Sequence, residues 1–237
     1  MKSNLLLLLL LVMLPLLFQS CGDRAGIDHN APSQLTLYHG ETYQIKASSD
    51  HRISYSSEND FIAYVTQAGI IEAGTIGETT IIMDNEKTTE TIKVTVPAKY
   101  NTFPDPLCKR GMTKNEVISQ LGNDYQVWYG ENTVVYVNIS VANGSRANYI
   151  YYFDNKDIFD HTTLQIFNDP GSSITGVTEH VAERYKLFGE SVLDSGALFK
   201  IYGDAFTWNS RSIEVRVVDY TSTSAFEFPY VLIHYIP

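Results

Sequence analysis

The sequence predicts a mainly β protein with α+β character: an immunoglobulin-like (Ig-like) β-sandwich, then an α+β domain with two helices packed on one antiparallel sheet. The composition gives the first indication, since 16 tyrosines and 19% charged residues in a chain of 237 favour strands over helices. The second is a series of short alternating segments separated by turn residues before residue 97. The third is a pair of amphipathic helix patterns among later strands. The length allows one or two domains.

The N-terminus carries the pattern of an export leader. The apolar run of residues 5–18 follows Lys2 and precedes Ser20 and Cys21. It is shorter than the ~20 residues of a spanning helix and has the length of a signal-peptide core. Residues 1–20 are therefore predicted to be a signal peptide.

A small residue directly before Cys21 resembles a bacterial lipobox. The resemblance implies that Cys21 becomes the lipidated first residue of a membrane-anchored lipoprotein, and Gly22 after it implies the outer membrane. An ordinary secretory leader with an incidental cysteine is the alternative. Residues 21–34 are rich in glycine, asparagine and proline and poor in apolar side chains. This composition predicts a flexible tether.

Seven candidate strands define the first domain, residues 35–97. They are residues 35–37, 43–45, 53–55, 63–65, 70–71, 80–82 and 91–96. The pieces Ser56–Asn59, Ile62–Val65, Gly69–Ala73, Gly77–Ile81 and Val94–Val96 resemble, in order and spacing, the group-two bacterial Ig-like domains. That resemblance implies a spacer or adhesion module of the bacterial surface, not an enzyme.

Prolines mark the domain boundary. Pro97 ends the last strand, and Pro104 and Pro106 fix their own φ angles and disfavour helix in the residues before them. Residues 98–107 are predicted to be a stiff linker, and residues 108–237 the second domain.

The second domain opens with a well-specified helix. Thr113 and Glu116 form a capping box, Met112 and Val117 form a hydrophobic staple, and Gly122 ends the helix. A second helix is predicted at about 178–188, with Val177, Val181, Tyr185 and Phe188 on one face. The predicted strands are residues 125–129, 133–141, 148–154, 162–167, 197–203, 211–219 and 229–236.

The first helix also carries a family resemblance. The run Gly111-Met112-Thr113, Glu116-Val117 and Leu121-Gly122, followed by tyrosine-rich strands, resembles the fold shared by BamE-like outer-membrane assembly lipoproteins and the β-lactamase inhibitor protein (BLIP). The resemblance implies a BLIP-like, non-catalytic domain that binds other proteins.

Motifs for catalysis, cofactors and metals are missing from the sequence. We therefore expect no enzyme, no cofactor and no metal site. Asp154, Asp157 and Asp160 could offer oxygens to calcium, but the full calcium-loop pattern is missing and a hairpin turn accounts for them better. Cys108 could be a nucleophile, although a packing role is commoner. The net charge of −10 disfavours nucleic acid as a partner.

Strand alternation predicts a binding face. If Val135, Val137, Ile139 and Val141 face the core, Tyr136 faces away, and the same rule applied to the other strands sends further residues to that face. The helix-free face of the sheet is predicted to present Trp128, Tyr136, Arg216, Tyr230 and His234. Aromatic residues with an arginine are typical of binding hot spots, although tyrosines also simply favour strands.

Together these patterns predict a membrane-anchored lipoprotein of the cell envelope that binds or adheres to a protein or glycan. An envelope or outer-membrane assembly factor is the first alternative. A glycan-processing enzyme is the second, and it would need two carboxylates about 5 to 10 Å apart in a cleft.

Overall fold

The computed structural model describes residues 25–168, 174–205, 207–221 and 230–237. The predicted signal peptide and Cys21 lie outside these residues. Within them, helices are too short and too polar to cross a membrane. The predicted fold class is confirmed: a β-sandwich is followed by an α+β domain built on one antiparallel sheet.

The first domain is a sandwich of a four-stranded and a three-stranded sheet. The larger sheet has the order β2-β9-β8-β5, and the smaller has the order β3-β7-β6. Ile71, Ile81 and Ile92 are fully buried between them. All seven predicted strands are present. The strands are β1 (Asp28–His29), β2 (Gln34–Thr36), β3 (Thr42–Gln44), β4 (Ala47–Ser48), β5 (Ser54–Ser57), β6 (Ala63–Val65), β7 (Ile70–Ala73), β8 (Gly77–Asp84) and β9 (Thr89–Val96).

The domain begins earlier than residue 35. Ile27 and Ala31 are buried in the sandwich core, and β1 pairs with β4. The Asn30 side chain accepts a hydrogen bond from the Lys46 backbone N–H. The tether predicted for residues 21–34 is therefore wrong from Ile27 onward. Two isolated apolar residues among polar ones give no periodic signal that alternation could detect.

The second domain is one seven-stranded antiparallel sheet with two helices on one face. Its order is β10-β11-β12-β16-β15-β14-β13. Val117, Val177 and Val181 of the helices are buried against this helix-covered face. The elements are α1 (Lys114–Leu121), β10 (Thr133–Ser140), β11 (Arg146–Phe153), β12 (Phe159–Phe167), α2 (Val177–Ala182), β13 (Lys186–Val192), β14 (Leu198–Gly203), β15 (Glu214–Asp219) and β16 (Tyr230–Ile236).

Helix α1 has the predicted capping box, with Thr113 and Glu116 bonding reciprocally. Helix α2 is shorter than predicted, because residues 186–192 pair with β14 as an extra edge strand. Phe188 consequently leaves the predicted helix stripe and contacts Trp208. The predicted strand at 125–129 is also wrong, since only a single bridge joins Gln126 to Val135.

The predicted linker belongs to the second domain for half its length. Thr102 and Phe103 are buried, and Phe103 stacks on the buried His180 ring. The Tyr149 hydroxyl donates to the Pro104 carbonyl. Aromatic packing and backbone acceptors thus hold a segment whose prolines alone indicate only an extended chain.

Glu183 joins the two domains. Its buried carboxylate accepts hydrogen bonds from the backbone N–H groups of Lys99 and Tyr100, and its backbone carbonyl accepts one from the N–H of Ile76 in the first domain. Hydrogen bonds to a buried ionised group are stronger than neutral ones. The two domains are therefore fixed against each other on the α2 side.

Candidate functional site

The sheet has a helix-free face, where binding was predicted, but Tyr136 does not lie on it. Tyr136 is 7% exposed in the core, and its hydroxyl donates to the Gly122 carbonyl at 2.7 Å. The β10–β11 register shifts between Tyr136 and Ile139, where Asn138 has a φ of 56°. This bulge reverses the alternation, so Val134 and Tyr136 before it and Ile139 after it all pack in the helix-covered core.

Trp128 also differs from the prediction. It lies in the turn before β10, outside the strands, and is half-buried. Its indole N–H donates to the Gln126 side chain at 2.9 Å, and its ring packs edge-on against Tyr129. Trp128 therefore belongs to the local structure of this turn.

Arg216, Tyr230 and His234 lie on the helix-free face as predicted. Their strand neighbours face the core, namely Val215, Val217, Val231, Ile233 and Tyr235. Arg216 and His234 are directly opposite across the β15–β16 pair. The Tyr230 ring lies 4.9 Å from that of Tyr220.

On this face, side chains of adjacent strands contact one another in a row. The Tyr152 and His161 rings stack with centroids 4.3 Å apart, and the centroid of His161 is 6.5 Å from that of His234. His234 Nδ1 lies 2.9 Å from the Thr163 hydroxyl. We call the row the polar-aromatic strip: Tyr152, His161, Thr163, His234, Arg216, Glu214, Arg211 and Trp208.

Ion pairs complete the other end of the strip. The Glu214 carboxylate lies 2.5 Å from Arg216 Nε and 2.6 Å from an Arg211 nitrogen. The Arg211 guanidinium covers the Trp208 ring at 3.3 Å from its centroid. Both guanidiniums are thereby held in defined positions, as a recognition surface requires.

Electrostatics fix the charge states of the strip. Burial acts to raise the pKa of Glu214, but Arg211 and Arg216 outweigh it and hold that pKa below its usual range. Burial, His161 and Arg216 all lower the pKa of His234. At neutral pH the two guanidiniums therefore outnumber the carboxylate beside a neutral imidazole, and this end of the strip is positive.

The buried His180 pairs with Asp105, whose side chain is half exposed. The Thr102 N–H donates to His180 Nδ1, so Nε2 carries the proton and faces Asp105 at 3.1 Å. Burial would raise the pKa of Asp105, but His180 and Arg184 keep it below its usual value. Because both imidazole nitrogens are occupied, this pair clamps the linker to α2 and offers no free base.

The local contacts of Cys108 and of the series Asp154, Asp157 and Asp160 indicate structural roles. Burial first and Asp204 second raise the pKa of Cys108 to about 12, so the thiol is protonated, which disfavours the nucleophile alternative. The Asp154 carboxylate accepts from the Lys156 and Ile158 N–H groups. The described residues contain no group of three or more histidine, cysteine or acidic side chains that could hold a metal.

A second concave feature lies between the domains. The interdomain cleft has a volume of about 660 Å³. The first domain lines it with Asp60, Phe61, Tyr64 and Glu72, and the second with Glu179, Lys186, Leu187, Lys200 and Tyr202, among others. The sequence offers no signal for this cleft, because its walls come from segments more than 100 residues apart whose contact depends on how the domains dock.

Comparisons with known proteins add little. No protein-family model and no curated protein matches the chain. Among solved structures, a crystal structure of an intimin mutant of EHEC O157:H7 shares 20% identity and a TM-score of 0.25, over 52% of this chain and 82% of that one. The features that bear on function are therefore the polar-aromatic strip and the interdomain cleft.

Proposed function

We propose that the chain is a lipid-anchored binding module of the bacterial cell envelope that holds a protein partner against the polar-aromatic strip. The observation that carries the proposal is the lateral contact of strip side chains from four adjacent strands, β11, β12, β16 and β15, on the face opposite α1 and α2. Tyrosine, tryptophan and arginine are the residues enriched in binding hot spots.

The shape of the strip favours a protein over a small ligand. Its members stand on successive strands of an open sheet, whereas small ligands need a concave site that surrounds them. The Arg216 side chain is 48% exposed, while Glu214 holds its guanidinium in place. An arginine that is positioned before binding loses less conformational freedom in the complex.

The anchor is inferred from the leader. Acyl chains on Cys21 would contribute about 0.8 kcal/mol for each CH₂ group buried in the membrane, enough for stable attachment when several chains are present. The binding domains would then stand on an outer-membrane surface, connected through the residues before Ile27.

Replacing the anchor residue tests this part. The Cys21→Ser protein should lose metabolic labelling by a clickable fatty acid and move to the soluble fraction, while the unchanged protein is labelled and sediments with membranes. Equal sedimentation with no label on either protein would contradict lipidation.

Capture from a detergent extract of the cell envelope tests the strip. Tyr152→Ala and Arg216→Ala in the full chain should each weaken capture of a specific partner about thirtyfold, the effect of a residue worth ~2 kcal/mol. Tyr38→Ala and Arg52→Ala are matched controls, because both residues are exposed on the first domain. A partner retained equally by all four variants would contradict the strip as the binding surface.

A further inference from the structure

We propose that the interdomain cleft binds a short, uncharged oligosaccharide. This site is separate from the polar-aromatic strip and goes beyond the proposed protein-binding function. The volume of about 660 Å³ falls within the roughly 300 to 1,000 Å³ typical of ligand sites, which often lie between domains.

One wall is the outer face of the three-stranded sheet. Tyr64 of β6 and Glu72 of β7 are directly opposite in the antiparallel pair. Both point outward, because Ala63, Val65 and Ile71 on either side of them face the sandwich core. Tyr64 is 43% exposed. A flat ring and a carboxylate therefore stand side by side on the surface that faces the second domain.

The other wall is formed by α2 and the two strands at the β13 edge. Leu187 and Tyr202 are a cross-strand pair, and Glu179 of α2 lies close enough to Tyr202 to contribute, after burial, to raising the pKa of its hydroxyl to about 12. Lys186 and Lys200 reach the same space. This wall thus combines apolar surface, an acceptor and two cationic donors.

The two walls hold their positions without a ligand. The carboxylate of Glu183, just beyond α2, accepts from Lys99 and Tyr100, and its backbone carbonyl accepts from Ile76 at 2.8 Å. A cleft that is formed before binding avoids the entropy cost of ordering it. The site is therefore suited to a small ligand.

The chemistry of the lining selects the ligand class. The carboxylates of Asp60, Glu72 and Glu179 make no hydrogen bond or ion pair with another side chain among the described residues, so they are available as acceptors. Lys186 and Lys200 line the cleft as donors, opposite Asp60 and Glu72 and on the same wall as Glu179. A charged ligand would meet like charges on one wall or the other, which is unfavourable.

An uncharged sugar satisfies both kinds of group, because each hydroxyl can donate to a carboxylate and accept from a lysine. The apolar C–H face of a sugar ring fits the negative face of an aromatic ring. Tyr64 and Phe61 supply accessible aromatic surface in the cleft, whereas Tyr202 also lines it but is only 2% exposed. The combination of aromatic faces with available carboxylates and with lysine donors therefore points to an oligosaccharide.

Calorimetric titration of the full chain in detergent tests the assignment. The neutral probes are cellohexaose, hexa-N-acetylchitohexaose and mannohexaose, with a heparin hexasaccharide and hexalysine as anionic and cationic comparisons. We expect saturable binding of at least one neutral probe, weakened about tenfold by Tyr64→Ala and to a lesser extent by Glu72→Gln. Tyr129→Ala is the control, since Tyr129 is 78% exposed on the second domain, outside the cleft.

We expect both variants to fold, because both substituted side chains are exposed in the native state. Their melting temperatures check this. Three outcomes would overturn the proposal. They are no saturable binding of any neutral probe at about millimolar concentration, binding that Tyr64→Ala and Glu72→Gln leave unchanged, and binding of only the heparin fragment or hexalysine.

Discussion

The two faces of the seven-stranded sheet are both rich in tyrosine, but they satisfy their polar atoms differently. On the helix-covered face, two hydroxyls bond to backbone groups of connecting segments: Tyr149 donates to Pro104, and Tyr136 donates to Gly122. On the helix-free face, side chains contact each other: Tyr152 and His161 stack, and Thr163 hydrogen-bonds with His234. The first arrangement fixes loops to a core, whereas the second leaves an ordered surface.

The difference shows that the role of a tyrosine depends on the face of the sheet on which it lies. The number of tyrosines in the chain does not decide it. Tyr151 and Tyr152 are neighbours in β11, yet Tyr151 is 1% exposed in the core, while Tyr152 is half-buried on the strip. Tyrosines therefore stabilise the core on the helix-covered face and are available for recognition on the helix-free face.

The largest expected effect comes from this pair. Tyr151→Ala should lower the free energy of unfolding by about 3–5 kcal/mol, because it opens a cavity among packed aromatic rings. Tyr152→Ala should cost about 1 kcal/mol, the loss of one stacked contact. Urea denaturation of both variants measures the difference. Equal losses would show that the two faces are buried alike.

Removing single hydroxyls makes the comparison finer. Tyr149→Phe should lower the free energy of unfolding by about 1 kcal/mol, since it removes the part-buried hydrogen bond from the Tyr149 hydroxyl to the Pro104 carbonyl. Tyr152→Phe on the helix-free face should have almost no effect, because it keeps the stacked ring and solvent reaches that half-buried side chain. The same urea experiment applies, and a costly Tyr152→Phe substitution would contradict the account of the open face.

The smallest effect is a pH dependence of the strip. Burial, His161 and Arg216 lower the pKa of His234 in the folded state, so below about pH 6.5 the unfolded chain binds the proton more readily. Stability from this group is complete above that pH and falls as the pH drops towards the folded-state value.

Comparing urea denaturation at pH 7.5 and 5.5 in the unchanged protein and in His234→Gln checks this. The glutamine variant should lose less stability on acidification, because it has no proton to gain. Identical losses would place the pH dependence elsewhere.

Alternation predicted the strands wherever one face of a sheet is regularly buried. All seven sandwich strands and the inward set Val215, Val217, Val231 and Ile233 follow from it. It failed at β10, where the bulge at Asn138 reverses the side-chain direction and puts Tyr136 in the core. A bulge is set by the pairing with β11, which the local sequence of β10 does not encode.

Other errors came from tertiary contacts. The helical stripe that begins at Val177 predicts a helix to about residue 188, yet residues 186–192 pair with the edge of β14 as a strand. Alternation did not join three strip residues to the predicted face, because they meet the distant His234 only through strand register. They are Tyr152, His161 and Thr163. The interdomain cleft depends on docking of two domains, which no single segment determines.

The central claim is that the helix-free face, through its polar-aromatic strip, is the binding surface. Site-specific photo-crosslinking tests it most directly, with a benzophenone amino acid in place of Tyr152 and, as the control, in place of Tyr38. After illumination in envelope extract, we expect a discrete crosslinked partner from position 152 and none from position 38. The same products from both positions, or products from position 38 alone, would contradict the claim.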